Sequence, residues 1–157
     1  MSIRTKIILV VLPLLVTSLA ITGILSSHAA RTGMTRIAME SLGFKAEELS
    51  QYARNQWNLL LENELEGREE FVEITRTSIG AYAGSLIRSD SELIFAVDDS
   101  MEVAFATAPL SLSVEERVVV KDLADRAEEG WVELRAGGTN RVGSAFAFEP
   151  LDWYVLV

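Results

Sequence analysis

The chain has 157 residues, a formal net charge of −9 and no cysteine. The missing thiols exclude disulfides and thiolate metal sites, and the acidity excludes a nucleic-acid partner, which would need a basic surface. All 23 acidic residues, and every basic one except Arg4 and Lys6, lie after residue 25, so charge divides the chain into two parts.

The first part is Ile7 to Leu25, IILVVLPLLVTSLAITGIL, with no charged side chain. At about 1.5 Å per residue this run reaches roughly 28 Å, close to the ~30 Å hydrocarbon thickness of a bilayer. It reads as a transmembrane helix over residues 7–27, preceded by a short basic tail, residues 1–6. Pro13, Thr17, Ser18 and Gly23 are compatible with this, because a helix satisfies its own backbone groups. A cleavable signal peptide is the alternative: Arg4 and Lys6 supply a basic end, and Ser27-His28-Ala29 resembles a small-x-small cleavage pattern. The apolar run is longer than such peptides carry, and Arg31 follows at once. A buried soluble helix fits less well, since the segment has no polar face. The basic residues against the edge of the span place the amino terminus inside and residues 28–157 outside, in the inner membrane of a bacterium.

From Met34 the apolar positions step by fours and threes through Ala38, Leu42, Ala46, Leu49, Ala53, Trp57 and Leu60, which predicts one long helix over about 31–66. Glu40, Glu47, Glu48, Arg54 and Glu62 form its wet face, and Leu59 and Leu61 widen the apolar stripe at its distal end. Such a helix rising from a span is a stalk, and its stripe could pack on a domain or on a twin helix in a homodimer. After Gly67 a second helix, about 69–88, carries Phe71, Thr75, Ile79, Tyr82, Ala83 and Leu86 on one face and ends at the turn formers Arg88-Ser89-Asp90-Ser91.

The sheet region is 92–157. Two short apolar runs, Leu93–Val97 and Val103–Thr107, flank the polar turn Asp98–Glu102 and read as a hairpin, its first strand inside a sheet with helices over one side. Ser113 and Glu116 make a capping box for a helix through Glu128, burying Val119, Leu123 and Ala127 with Val120 and Ala124 beside them. Three strands close the chain: Trp131–Arg135 turns Val132 and Leu134 inward, Gly137-Gly138-Thr139-Asn140 is a turn, Arg141–Phe148 alternates Ser144, Phe146 and Phe148 with small residues, and Asp152–Val157 follows Pro150. The fold class is therefore α+β, an antiparallel sheet of about five strands with flanking helices behind a stalk and a span.

This order of elements, with LIFAVDD at 93–99 and FAFEPLDWYVLV at 146–157, resembles the Cache family of extracytoplasmic sensor domains, which look like PAS domains with a long amino-terminal helix. The resemblance covers residues 31–157. It implies a receptor module: a small molecule sits between sheet and helices, and a shift of the long helix moves the membrane segment toward a cytoplasmic kinase, chemotaxis or cyclase output. No such output is in this chain, which stops within a strand pattern at Val157, so the expectation is a piece of a longer receptor, truncated at its carboxyl end or followed by a second such module. Arg88 is followed by Ser89 and Asp90, not by the tryptophan and tyrosine of the amino-acid-binding members, so amino-acid recognition is not implied.

His28 is the sole histidine, so neither a histidine triad nor a histidine metal site can form, and no phosphate-cradling Gly-Lys-Ser/Thr sequence occurs. Asp98 and Asp99 read as turn formers rather than as a catalytic pair. The expectation is no enzyme, no cofactor and no metal. Ligand-binding candidates, chosen by type where a PAS-like pocket would lie, are Tyr82, Arg88, Thr107, Trp131 and Arg141: an arginine could hold a carboxylate while a ring covers an apolar body. The other class of reading is a membrane-tethered structural or protein-interaction module with no small ligand.

Overall fold

A computed structural model describes residues 3–126 and 128–157, and the side chains of the first helix at 15–23 and from 37 onward. The chain forms two compact units, 1–38 and 39–157. Helix α1, Ile3–Glu62, contributes to both. In the first unit Leu15, Val16, Leu19 and Ile21 are exposed, and the Thr22 hydroxyl returns to the Ser18 carbonyl at 2.9 Å. Among the described residues no helix is long and apolar enough to cross a membrane. The expected span over 7–27 is thus not shown by them; its residues 7–14 and 24–27 lie outside the described side chains, as does Met34 of the stalk stripe.

The second unit begins on α1, whose stripe turns inward from Leu42 and buries Ala46, Leu49, Ala53 and Leu60. Ala38, expected on that stripe, is exposed. So are Leu59 and Leu61, because the helix rests on its partners along one line and its distal end shows both flanks to solvent. The helix stops at Glu62, four residues before its sequence range suggested, where Leu65 donates back to the Leu60 carbonyl at 2.9 Å and Glu64 takes a positive φ of 54°.

Helix α2, Glu69–Leu86, opens with Glu69 and Glu70, whose charge favours a helix amino terminus. It buries Val72, Thr75, Ile79 and Ala83. Strand β1, Phe95–Val97, pairs antiparallel with β2, Val103–Ala106, and with β5, Trp153–Leu156. Between them come helix α3, Val114–Asp125, and strands β3, Gly130–Ala136, and β4, Thr139–Phe148. The five-stranded antiparallel sheet has the order β2-β1-β5-β4-β3, so the first strand does lie inside. Gly137 and Gly138, with φ of 59° and 77°, turn β3 into β4 in two residues, since Ala136 already pairs with Thr139.

Helices cover both faces, not one as expected. Alternation explains why: Ala96, Phe146, Phe148, Trp153 and Val155 point toward α1 and α2, while Phe95, Val97, Ala145, Tyr154 and Leu156 point the other way, toward α3. With large apolar groups on both sides of the central strands, one layer of helices would leave the other side wet. The α3 capping box forms as predicted, but its buried face is Glu116 and Val120, with Leu123 and Ala124 partly covered. Val119 is exposed, and Ala127 lies outside the described residues.

Candidate ligand cleft

A cleft of about 570 Å³ lies between α2, the turn end of the β1–β2 hairpin and the turn into β5. Glu73, Arg76, Thr77 and Gly80 face it from α2 at helical spacings, which puts them on one stripe. Asp98, Asp99 and Phe105 come from the hairpin, and Leu151, Asp152 and Trp153 from the turn into β5. Gly80 lets the helix approach: a Cβ there would meet Phe105 Cβ at 3.4 Å. Phe105 in turn leans on Trp153, ring centres 5.4 Å apart and tilted 60°.

Two groups set the electrostatics. Asp98 Oδ1 accepts from Ser100 N at 3.0 Å, Ser100 Oγ at 2.7 Å and Glu102 N at 2.9 Å, which closes the turn. Burial pushes this carboxyl up, but those hydrogen bonds outweigh burial and hold it below its ordinary value, so it is ionised. Arg76 Nη1 reaches Glu69 at 3.4 Å and Glu73 at 3.5 Å, both long contacts. Its Nε is buried and has no hydrogen-bond partner. The cleft is therefore lined by a guanidinium whose Nη1 makes only long contacts, by carboxylates and by the rings of Phe105 and Trp153. That arrangement can bind a polar small molecule; among the described residues no group of three acidic or histidine side chains is placed to hold a metal.

The five residues expected to line a pocket do not converge. Tyr82 stacks on Tyr52, centres 4.0 Å apart, and donates to Glu48 at 2.8 Å, tying α2 to α1. That bond, with some burial, raises its phenol above the ordinary value. Thr107 Oγ1 accepts from Ile94 N at 3.0 Å and serves the hairpin. Trp131 is half-buried opposite Ser144 on the sheet edge. Only Arg88 and Arg141 meet one segment: Arg88 N donates to Glu92 at 2.7 Å, and Arg141 Nη1 to the Ser91 carbonyl at 2.9 Å.

Sequence reasoning missed Arg76, Trp153 and the pair of Lys45 with Glu92. The spacing of Glu73 and Arg76 was visible as a helical ion pair, but the hairpin over which they stand is supplied by residues more than twenty positions away. Comparison with family models, with curated proteins and with solved structures finds no match for this chain.

Proposed function

We propose that this chain is the sensory module of a membrane-anchored bacterial receptor of the Cache, PAS-like kind, without catalytic activity of its own. A small molecule enters the cleft over α2, and its occupancy is passed through α1 to the inner membrane and an output domain on the far side. The observation that carries this reading is the cleft itself. Its volume falls within the roughly 300–1,000 Å³ usual for small-molecule sites, and Arg76, which lines it, makes only long contacts through Nη1. Anchoring is supported by Leu15, Val16, Leu19 and Ile21, apolar groups exposed along one helix that lipid would cover. Phe44, 76% exposed on the part of α1 that belongs to the second unit, supports a homodimer through the stalk.

The test is a thermal-melt screen of the full chain in detergent micelles against metabolites. A ligand at about 100 times its Kd should stabilise the fold by ~2.7 kcal/mol. The rise should saturate, and Arg76→Ala should abolish it. No saturable rise over a broad library refutes the sensor reading.

A second reading, a tethered interaction module with no small ligand, is favoured by one specific observation. The space between α1, α2 and the sheet is filled by Leu49, Ile79, Ile94 and Val155, all but inaccessible, while Val114 and Val118 stand exposed on α3. A flat screen together with a protein bound at those valines would favour it.

A further inference from the structure

The loop between α2 and β1 is held from two sides. On one side Lys45, from the buried stripe of α1, places Nζ 2.7 Å from Glu92 Oε2, the two side chains being 11% and 29% exposed. A lysine this covered is costly without a partner, so Glu92 is what allows it to sit there. On the other side Arg141 of β4 grips the Ser91 carbonyl at 2.9 Å, with its Nε buried. The loop between these grips is itself knotted: Arg88 N donates to Glu92 Oε2 at 2.7 Å, Glu92 N to Ser89 O at 3.1 Å, and the Ser89 and Ser91 hydroxyls lie 2.8 Å apart.

We infer that residues 88–92 act as a strap that couples the sheet to α1, because Lys45 and Arg141 hold adjacent residues of one internally bonded loop. A displacement of β4 then reaches α1 through Ser91 and Glu92 as well as through the apolar layer shared by β4 and α1. The role of this strap in signalling rests on the receptor reading; the coupling itself does not. It also gives Arg88 and Arg141 a structural meaning, since both serve the strap and neither faces the cleft over α2.

The experiment uses the full chain in detergent micelles and needs no ligand. Hydrogen exchange by mass spectrometry reads the α1 peptide spanning residues 42–53 in Glu92→Gln, Arg141→Met and Arg141→Lys, and denaturant unfolding reads Lys45→Met, Arg141→Met and their combination. The expected result is faster exchange in that peptide for Glu92→Gln and for Arg141→Met, with protection restored in Arg141→Lys, which keeps a donor for Ser91. The combined variant should depart from additivity by about fivefold or more in its unfolding constant. Wild-type exchange of α1 in Arg141→Met, or additivity within about twofold, overturns the strap. If Arg141→Met does not fold, exchange in Arg141→Lys and Glu92→Gln decides: unchanged α1 protection in Glu92→Gln overturns it equally. A flat metabolite screen with the coupling intact would sink the sensor and leave the strap standing, and the reverse pattern would do the opposite.

Discussion

Glu116 offers the sharpest check on how the sheet and α3 are joined. The residue is 5% exposed and both carboxylate oxygens are in use: Oε2 accepts from Ser113 N at 2.9 Å, closing the capping box, and Oε1 accepts from Gly138 N at 2.8 Å, pinning the tight turn between β3 and β4. Glutamine has the same shape but one acceptor oxygen, so Glu116→Gln must lose one bond and set an amide donor against a backbone donor. A hydrogen bond to a charged group contributes about 1.5–3 kcal/mol, and that is the expected loss. At a urea slope of about 1–3 kcal/mol per molar, the midpoint should fall by roughly 1 M with an unchanged slope. The loss should also depend on pH. The hydrogen bonds from Ser113 and then Gly138 hold the carboxyl below its ordinary 4.5. Its stabilising effect is therefore complete above about pH 4.5 and disappears as pH falls through the lower folded-state value, where the wild-type side chain becomes neutral like glutamine. Urea unfolding followed by tryptophan fluorescence at pH 7 and pH 3 measures both. Equal midpoints at pH 7, or a gap that does not narrow in acid, would refute the assignment.

Gly143→Ala should destabilise by ~2–4 kcal/mol in the same assay. A Cβ there would stand 2.6 Å from the Val157 carbonyl oxygen and break the two bonds, 3.0 and 2.9 Å, that join Ser144 to Val157; a neutral result would mean that strand end is not paired. Leu49→Ala should cost ~2–5 kcal/mol and Leu59→Ala no more than about 0.5, because only the first is enclosed. Comparable losses would show that the wrong face of α1 has been taken as buried. Tyr154 donates to the Glu128 carbonyl at 2.6 Å, and burial pushes its phenol up to about 12. Ultraviolet titration should show a phenol ionising near pH 12 that Tyr154→Phe removes, with the stability it contributes present below pH 10 and lost as pH rises through about 12; a phenol near 12 surviving that substitution contradicts the placement.

Most elements were legible because their signals are local. The five-residue turn Asp98–Glu102, the Ser113 and Glu116 box, the glycine pair and the in-out alternation of Val132 and Leu134 each depend on neighbours within a few positions. Where the local signal is ambiguous, the pattern and the fold differ by one residue or one turn. In the run Val118-Val119-Val120 any of the three could have faced inward, and contact with β3 and the closing strands selected Val120. Leu59 and Leu61 looked like a broadened stripe because apolarity alone does not say which flank meets a partner.

The candidate site was hardly legible. Tyr82, Thr107 and Trp131 are candidates by type and position, and the fold places each against a different neighbour. Lys45 with Glu92, and Ser91 with Arg141, join residues 47 and 50 positions apart, and the cleft gathers α2, a hairpin and the turn into β5. By itself the chain of residues determined what forms within one element: helices from apolar spacing, turns from glycine and aspartate, a cap from serine and glutamate. Only tertiary structure decided which faces are dry and which distant charges meet. Hydrophobic burial is indifferent to direction until a partner surface exists, and a buried charge finds its counterpart through the path of the backbone rather than through sequence distance.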